Sequence, residues 1–159
     1  MDPLPIDEAL MRLALAEAQA AQAAGEVPVG AIVLSPQGEI LATGNNQVIR
    51  LSDPTAHAEI VAMRAAAAHL GNYRLTGCTL VCTLEPCAMC AGAMTHARLG
   101  RLVYAARDPK AGADGSVLQA LNHSALNHRV EVTSGVLAEE CSAMLTGFFR
   151  SRRANAKTT

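Results

Sequence analysis

The chain has 159 residues, half of them apolar and 17% charged, with a formal net charge of −1. That length suits one ordinary domain with a full hydrophobic core, and the composition excludes low-complexity disorder. The charge is unevenly spread: residues 1–97 carry four basic and nine acidic groups, residues 98–159 nine basic and five acidic. Such asymmetry suggests one positive face.

In chain order, "DEALMRLALAEAQAAQAAGE" spaces Leu10, Leu13, Ala14 and Leu15 for a helix, with Gly25 as its stop. "VPVGAIVLSPQGEILATG" predicts two strands around a turn at residues 35–38, Pro36 suiting the second turn position. A polar loop, "NNQVIRLSDPT", leads into a helix from about His57 to Leu70. "GCTLVCTLEPC" reads as a strand running into Pro86, placed at the first position of the helix "CAMCAGAMTHA". The strand "RLVYAA", a glycine-rich loop over residues 108–116, the strand "HRVEVTSG" and a helix from about Ala138 to Arg153 complete the chain, with "ANAKTT" expected to fray. Strands alternating with helices predict an α/β fold, a partly parallel sheet covered on both faces, in a single domain over residues 1–159.

The start "MDPLPIDEAL" has no basic patch followed by an apolar run, and no uncharged apolar run reaches about 18 residues, so neither a secretory signal nor a membrane span is expected. Five cysteines, an odd number, point to reduced thiols or metal ligands in a cytoplasm.

One pair does not fit packing. His57 and Glu59 are two residues apart, so on a helix they point in different directions. At a helix end, though, two divergent side chains can reach the same object. Cys87 and Cys90, spaced i, i+3 at another helix start, present two sulfurs on one face, where free backbone N–H groups favour thiolate. A lone C-x-x-C also serves redox pairs and closed zinc sites, and a closed site would recruit Cys78 and Cys82. Those two share a strand face with Leu80 and Leu84 and read as small core residues, as does Cys141 beside Met144 and Leu145. If His57 joins Cys87 and Cys90 on one Zn²⁺, three ligands leave one tetrahedral position open, the catalytic pattern, and Glu59 stands beside it to move protons.

H-A-E followed by P-C-x-x-C resembles the zinc-dependent nucleoside and nucleobase deaminases. "GEVPVGAIV", "PTAHAEI", "TLEPCAMCAGAM", "YAARDPKAGADGS", "NHRVEV" and "LTGFFRSRRA" resemble, in the same order, the bacterial tRNA-specific adenosine deaminases. The resemblance implies a three-layer α/β/α cytidine-deaminase-like fold with a mixed sheet of about five strands. It also implies hydrolytic deamination of adenosine to inosine at the wobble position of an anticodon loop. Hydroxide generated at one zinc per subunit would add to C6, Glu59 would relay protons, and ammonia would leave without an organic cofactor. His57, Cys87 and Cys90 would hold zinc; Asn46, the backbone N–H of Ala58 and the apolar Val29 would hold the base. Asp108, Lys110, Phe149, Arg150, Arg152 and Arg153 are the candidate RNA contacts, since two phenylalanines beside three arginines combine stacking with charge. The implied partners are an anticodon stem-loop of an arginine tRNA and a second copy of the chain. The competing expectations are a deaminase of free guanine or cytosine, and an inactive zinc module that only binds RNA.

Overall fold

The computed structural model describes residues 1–158. Its elements are α1 (Asp7–Ala23), β1 (Gly30–Leu34), β2 (Ile40–Asn45), α2 (Ala58–Leu70), β3 (Thr79–Leu84), α3 (Ala88–His96), β4 (Arg101–Ala106), β5 (Glu131–Ser134) and α4 (Ala138–Thr158). The five strands form one sheet in the order β2-β1-β3-β4-β5. β1 runs antiparallel to both β2 and β3, while β3, β4 and β5 are parallel. The sheet is therefore mixed, with helices on both faces, as the cytidine-deaminase-like expectation required.

Alternation along the strands builds two cores. Ala31, Val33, Leu80, Cys82, Leu102 and Tyr104 face α2 and α3, packing on Ala62, Ala66, Cys90 and Met94. Ile32, Leu34, Val81, Val103 and Ala105 face the other way, onto Met11 and Ala14 of α1 and Cys141 of α4. β1 and β4 are consequently buried along their whole length, as strands covered on both faces must be. Among the described residues no helix is long and apolar enough to cross a membrane.

The alanine content of α2 has a steric reason. A Cβ added to Gly44 would lie 2.7 Å from the carbonyl oxygen of Ala58 and 2.7 Å from the nitrogen of Ala62. Backbone thus lies against backbone, and only small residues such as Ala58, Ala62 and Ala66, all fully buried, fit along that seam. The close approach fixes the start of α2, and with it His57 and Glu59, relative to the sheet.

α1 is the helix expected, and two expectations about helix ends are corrected. The buried face of α1 is Asp7, Met11, Ala14, Ala18 and Ala21, whereas Leu13 is 47% exposed. Alanines carry that face because the strand beneath is close. Pro86 precedes the α3 N-cap residue Cys87 and does not start the helix. α4 runs to Thr158, past Arg153; Thr159, the last of the residues expected to fray, lies outside the described residues.

Asp7 is buried because Arg101 is. Arg101 Nη1 and Nη2 donate to Asp7 Oδ1 and Oδ2 at 2.8 and 2.7 Å, and Nη2 also reaches Thr133 Oγ1 at 2.9 Å. Burial alone would raise the Asp7 carboxyl. The Arg101 hydrogen bonds, the Leu4 N–H and the guanidinium charge outweigh it and hold the group below the ordinary carboxylate range. A carboxylate with a depressed folded pKa contributes stability above its unfolded pKa, about 3.9, and loses it as pH falls through the folded value. Asp7→Asn therefore costs about 3–5 kcal/mol in denaturant unfolding at neutral pH, because it leaves a buried guanidinium unpaired. The gap between variant and wild type narrows below about pH 4.

Candidate active site

The C-terminal ends of parallel strands in an open α/β sheet are where ligands bind. Here β3 ends at Leu84 and the chain turns into α3, so Cys87 becomes the α3 N-cap residue and Cys90 lies in its first turn. The β2–α2 loop closes through Asp53 Oδ1, which accepts from the N–H and hydroxyl of Thr55. That turn places His57 as the N-cap residue of α2 and Glu59 in its first turn. Two helix N-termini converge, and both favour negative charge between them.

His57 Nδ1 lies 3.5 Å from Cys87 Sγ and 3.5 Å from Cys90 Sγ. The three donor atoms fall within 4.8 Å of one another. Tetrahedral zinc with Zn–S of about 2.3 Å and Zn–N of about 2.0–2.1 Å would separate nitrogen from sulfur by roughly 3.6 Å. The observed spacing is thus that of two edges of a zinc tetrahedron, and the residues fit the ion. Cys78, Cys82 and Cys141 are buried in the cores and do not join the set, so the closed four-cysteine alternative is absent among the described residues.

The protonation of the cluster agrees. A hydrogen bond from Cys90 pulls the Cys87 thiol down to about 3 against its burial, and His57 adds to the effect. The Cys90 thiol is pushed up because it donates to Cys87, because it is buried, and because Glu59 is close. His57 is raised by its hydrogen bond with Cys87. One negative charge therefore sits easily on the cysteine pair, and a second requires a cation between them.

Glu59 is 4% exposed and lies outside the donor set. Burial pushes its carboxyl up, with Cys90 and His57 pulling it partly back. Burial thus favours its protonated form, which suits a carboxyl that must both take up and give away a proton.

Beside the cluster lies a cavity of about 200 Å³, lined by Val27, Val29, Asn46, His57, Ala58, Glu59, Leu84, Glu85, Cys87, Asp108 and Ala111. This is smaller than the roughly 300–1,000 Å³ of pockets for drug-sized molecules and suits one flat ring. The structure thus brings together Val29, Asn46, Ala58, His57, Glu59 and Cys87 around one space. Asn46 is tied there by its N–H to the Val29 carbonyl at 3.1 Å, and its Oδ1 accepts from the Val48 N–H at 3.2 Å.

Sequence reasoning did not pick out Val27, Leu84, Glu85 or Ala111. Glu85, buried between an apolar strand and Pro86, carried a usable signal as an acid in a position that should be apolar. An acid also orders the β2–α2 loop: Glu26 is 1% exposed and accepts from the N–H groups of Ile49 and Arg50, both at 2.9 Å.

Of the candidate RNA contacts, Asp108 reaches the cavity, and Lys110 and Phe149 line an adjoining groove of about 390 Å³ with Thr146 and Leu145. Phe149 is 44% exposed, whereas Phe148 is 7% exposed and packs edge-on against it with centroids 5.4 Å apart. Arg150 and Arg153 are exposed. Arg152 differs: its Nη2 donates to the Gly25 carbonyl and its guanidinium lies 4.8 Å over the Phe148 ring, so it tethers α4 within the chain.

Comparison with known proteins agrees with this geometry. The family described as the cytidine and deoxycytidylate deaminase zinc-binding region matches residues 5–106. A tRNA-specific adenosine deaminase of Haemophilus influenzae is 52% identical over 151 residues, covering 95% of this chain and 87% of that protein. A structure from work on A-to-I editing by tRNA:A34 deaminases at the wobble position of transfer RNA superposes with a TM-score of 0.83. It is 42% identical, covering 86% of this chain and 99% of that one. A guanine deaminase from Nitrosomonas europaea superposes with a TM-score of 0.75 at 29% identity, covering 91% and 84%. With a three-donor metal site, a buried glutamate beside it and near-full-length similarity at this level, the chain belongs to the tRNA-specific adenosine deaminases, within the zinc-dependent cytidine and deoxycytidylate deaminase superfamily.

Proposed function

We propose that this protein deaminates adenosine to inosine at the wobble position of a tRNA anticodon loop. The observation that carries the reading is the 52% identity, over nearly the whole chain, with a tRNA-specific adenosine deaminase. The site supplies what the reaction needs. His57, Cys87 and Cys90 hold zinc, which when bound supplies a nucleophile at neutral pH by lowering the pKa of water from 15.7 to about 7. Val29 packs on the base, and Asn46 with the Ala58 N–H hydrogen-bonds its edge. Glu59 takes a proton from the attacking water and delivers it to ring nitrogen N1, then takes the second proton from the new C6 hydroxyl and passes it to the departing amino group. A C6–O bond forms, the C6–N bond breaks, and ammonia leaves. Water is the only co-reactant.

The substrate base is already unpaired in an anticodon loop, so turning it into the cavity avoids the few kcal/mol of breaking a duplex. The flanking nucleotides follow the groove at Asp108, Lys110 and Phe149, with Arg150 and Arg153 on the phosphates. Arg152, exposed beside them, also braces α4 through Gly25 and Phe148. An arginine tRNA is the expected substrate and a homodimer the expected assembly; exposed Ile49 (60%) and Leu51 (55%) beside the base-binding loop support a covered face there. Five free cysteines support a reducing cytoplasm.

A stem-loop with adenosine at the wobble position, compared with one carrying it a single position away, tests the reading. Inosine forms in the first and not the second; equal conversion of both would remove the positional claim. The second reading, deamination of free guanine, rests on the likeness to the Nitrosomonas europaea enzyme.

A further inference from the structure

We propose that Glu85 is a positioning residue for the reaction, its buried carboxylate pinning the segment 107–116 as the outer wall of the base cavity. Glu85 is 2% exposed and stands at the end of β3, one residue before Pro86. Its Oε1 accepts from the Asp108 N–H at 3.0 Å and from the Ser116 hydroxyl. Its Oε2 accepts from the Asp114 N–H at 2.9 Å and from the Ser116 N–H at 3.3 Å. Both ends of the segment are thus gathered onto one carboxylate. Its middle passes so close that a Cβ on Gly112 would lie 2.4 Å from the Glu85 carboxyl carbon. This explains the glycine in that loop as a contact requirement.

The wall so formed presents Asp108 and Ala111 to the cavity, alongside Glu85 itself. Asp108 Oδ1 is in turn occupied by the N–H groups of Lys110 and Ala111, at 3.0 and 3.3 Å, which sets the turn Lys110 rides on. The zinc donors and Glu59 stand on other elements, at the starts of α2 and α3. Loosening the wall therefore weakens the hold on the base and its neighbours while leaving the proton-transfer group in place. An interaction made equally in ground and transition states appears in KM and not in kcat.

The inference rests on the base-deaminating reading of the cavity, and wild type measured in parallel separates the two. Glu85→Gln turns one acceptor into a donor facing N–H groups. In the zinc-loaded full chain it raises KM for the anticodon stem-loop roughly 10–100-fold, leaving kcat within about threefold and zinc content unchanged. Amide exchange quickens over residues 107–116 alone. Ser116→Ala removes a single donor, keeps the fold if Glu85→Gln does not, and raises KM by about fivefold. Unchanged KM in Ser116→Ala, or a fall in kcat at constant KM in Glu85→Gln, would overturn the proposal, since lost folded enzyme lowers kcat alone. Wild type that turns over a free base and not the stem-loop refutes the RNA reading, and the same KM comparison is then made on that base.

Discussion

Glu59→Gln abolishes most turnover while leaving zinc content and fold intact: kcat falls by about 10²–10⁴-fold, the range of a general acid–base group. The side chain is 4% exposed on the first turn of α2 and does not belong to the donor set, so metal binding has no need of it. Its burial is costly for a carboxylate, which is why its pKa is raised. A neutral amide of the same shape relieves that cost, so thermal stability holds or rises as activity vanishes. Opposite movement of stability and activity marks a residue kept for chemistry. Parallel loss of both, read by a melting curve beside an inosine assay, would make Glu59 an ordinary core group.

Cys90→Ala has a larger effect. The variant is isolated without zinc and its turnover falls to background, because water without a metal is roughly eight to nine pKa units less acidic. Cys82→Ala is the matched control: equally buried, on the strand that leads to the site, but outside the donor set. It keeps its zinc and activity at a cost of order 1 kcal/mol. Zinc retained in Cys90→Ala, by metal analysis of the purified protein, would contradict the three-donor site. Chelation of the wild type lowers its melting temperature as well as its activity, since a ligand that binds only the folded state stabilises it.

The metal donors and Glu59 were legible because chemistry leaves spacing behind, whereas Val29, Asn46 and Ala58 came only from the family resemblance. His57 and Glu59 cannot share a helix face, and Cys87 and Cys90 must, so both pairs stood out from packing before the sheet was known. The strands were legible as short apolar runs bounded by turn residues, and β4 matched "RLVYAA" residue for residue. What escaped depends on distant parts of the chain. The buried face of α1 is written in alanines because the strand beneath it lies close, a fact no periodicity of large residues reveals. Glu26 and Glu85 hold backbone N–H groups together with Arg50 and Ser116, partners more than twenty residues away that only the fold brings to them. Arg152 looked like its neighbours Arg150 and Arg153 until Gly25, across the fold, proved to accept its hydrogen bond.

The most direct measurement is ammonia release by the zinc-loaded protein on four substrates at equal concentration. These are an arginine anticodon stem-loop with wobble adenosine, free adenosine, guanine and cytosine. Ammonia from the stem-loop alone, matched by inosine at that one position, is the predicted result. Ammonia from guanine with an unedited stem-loop would contradict it, leaving the zinc and Glu59 chemistry standing and making the groove along α4 a surface without an RNA to hold.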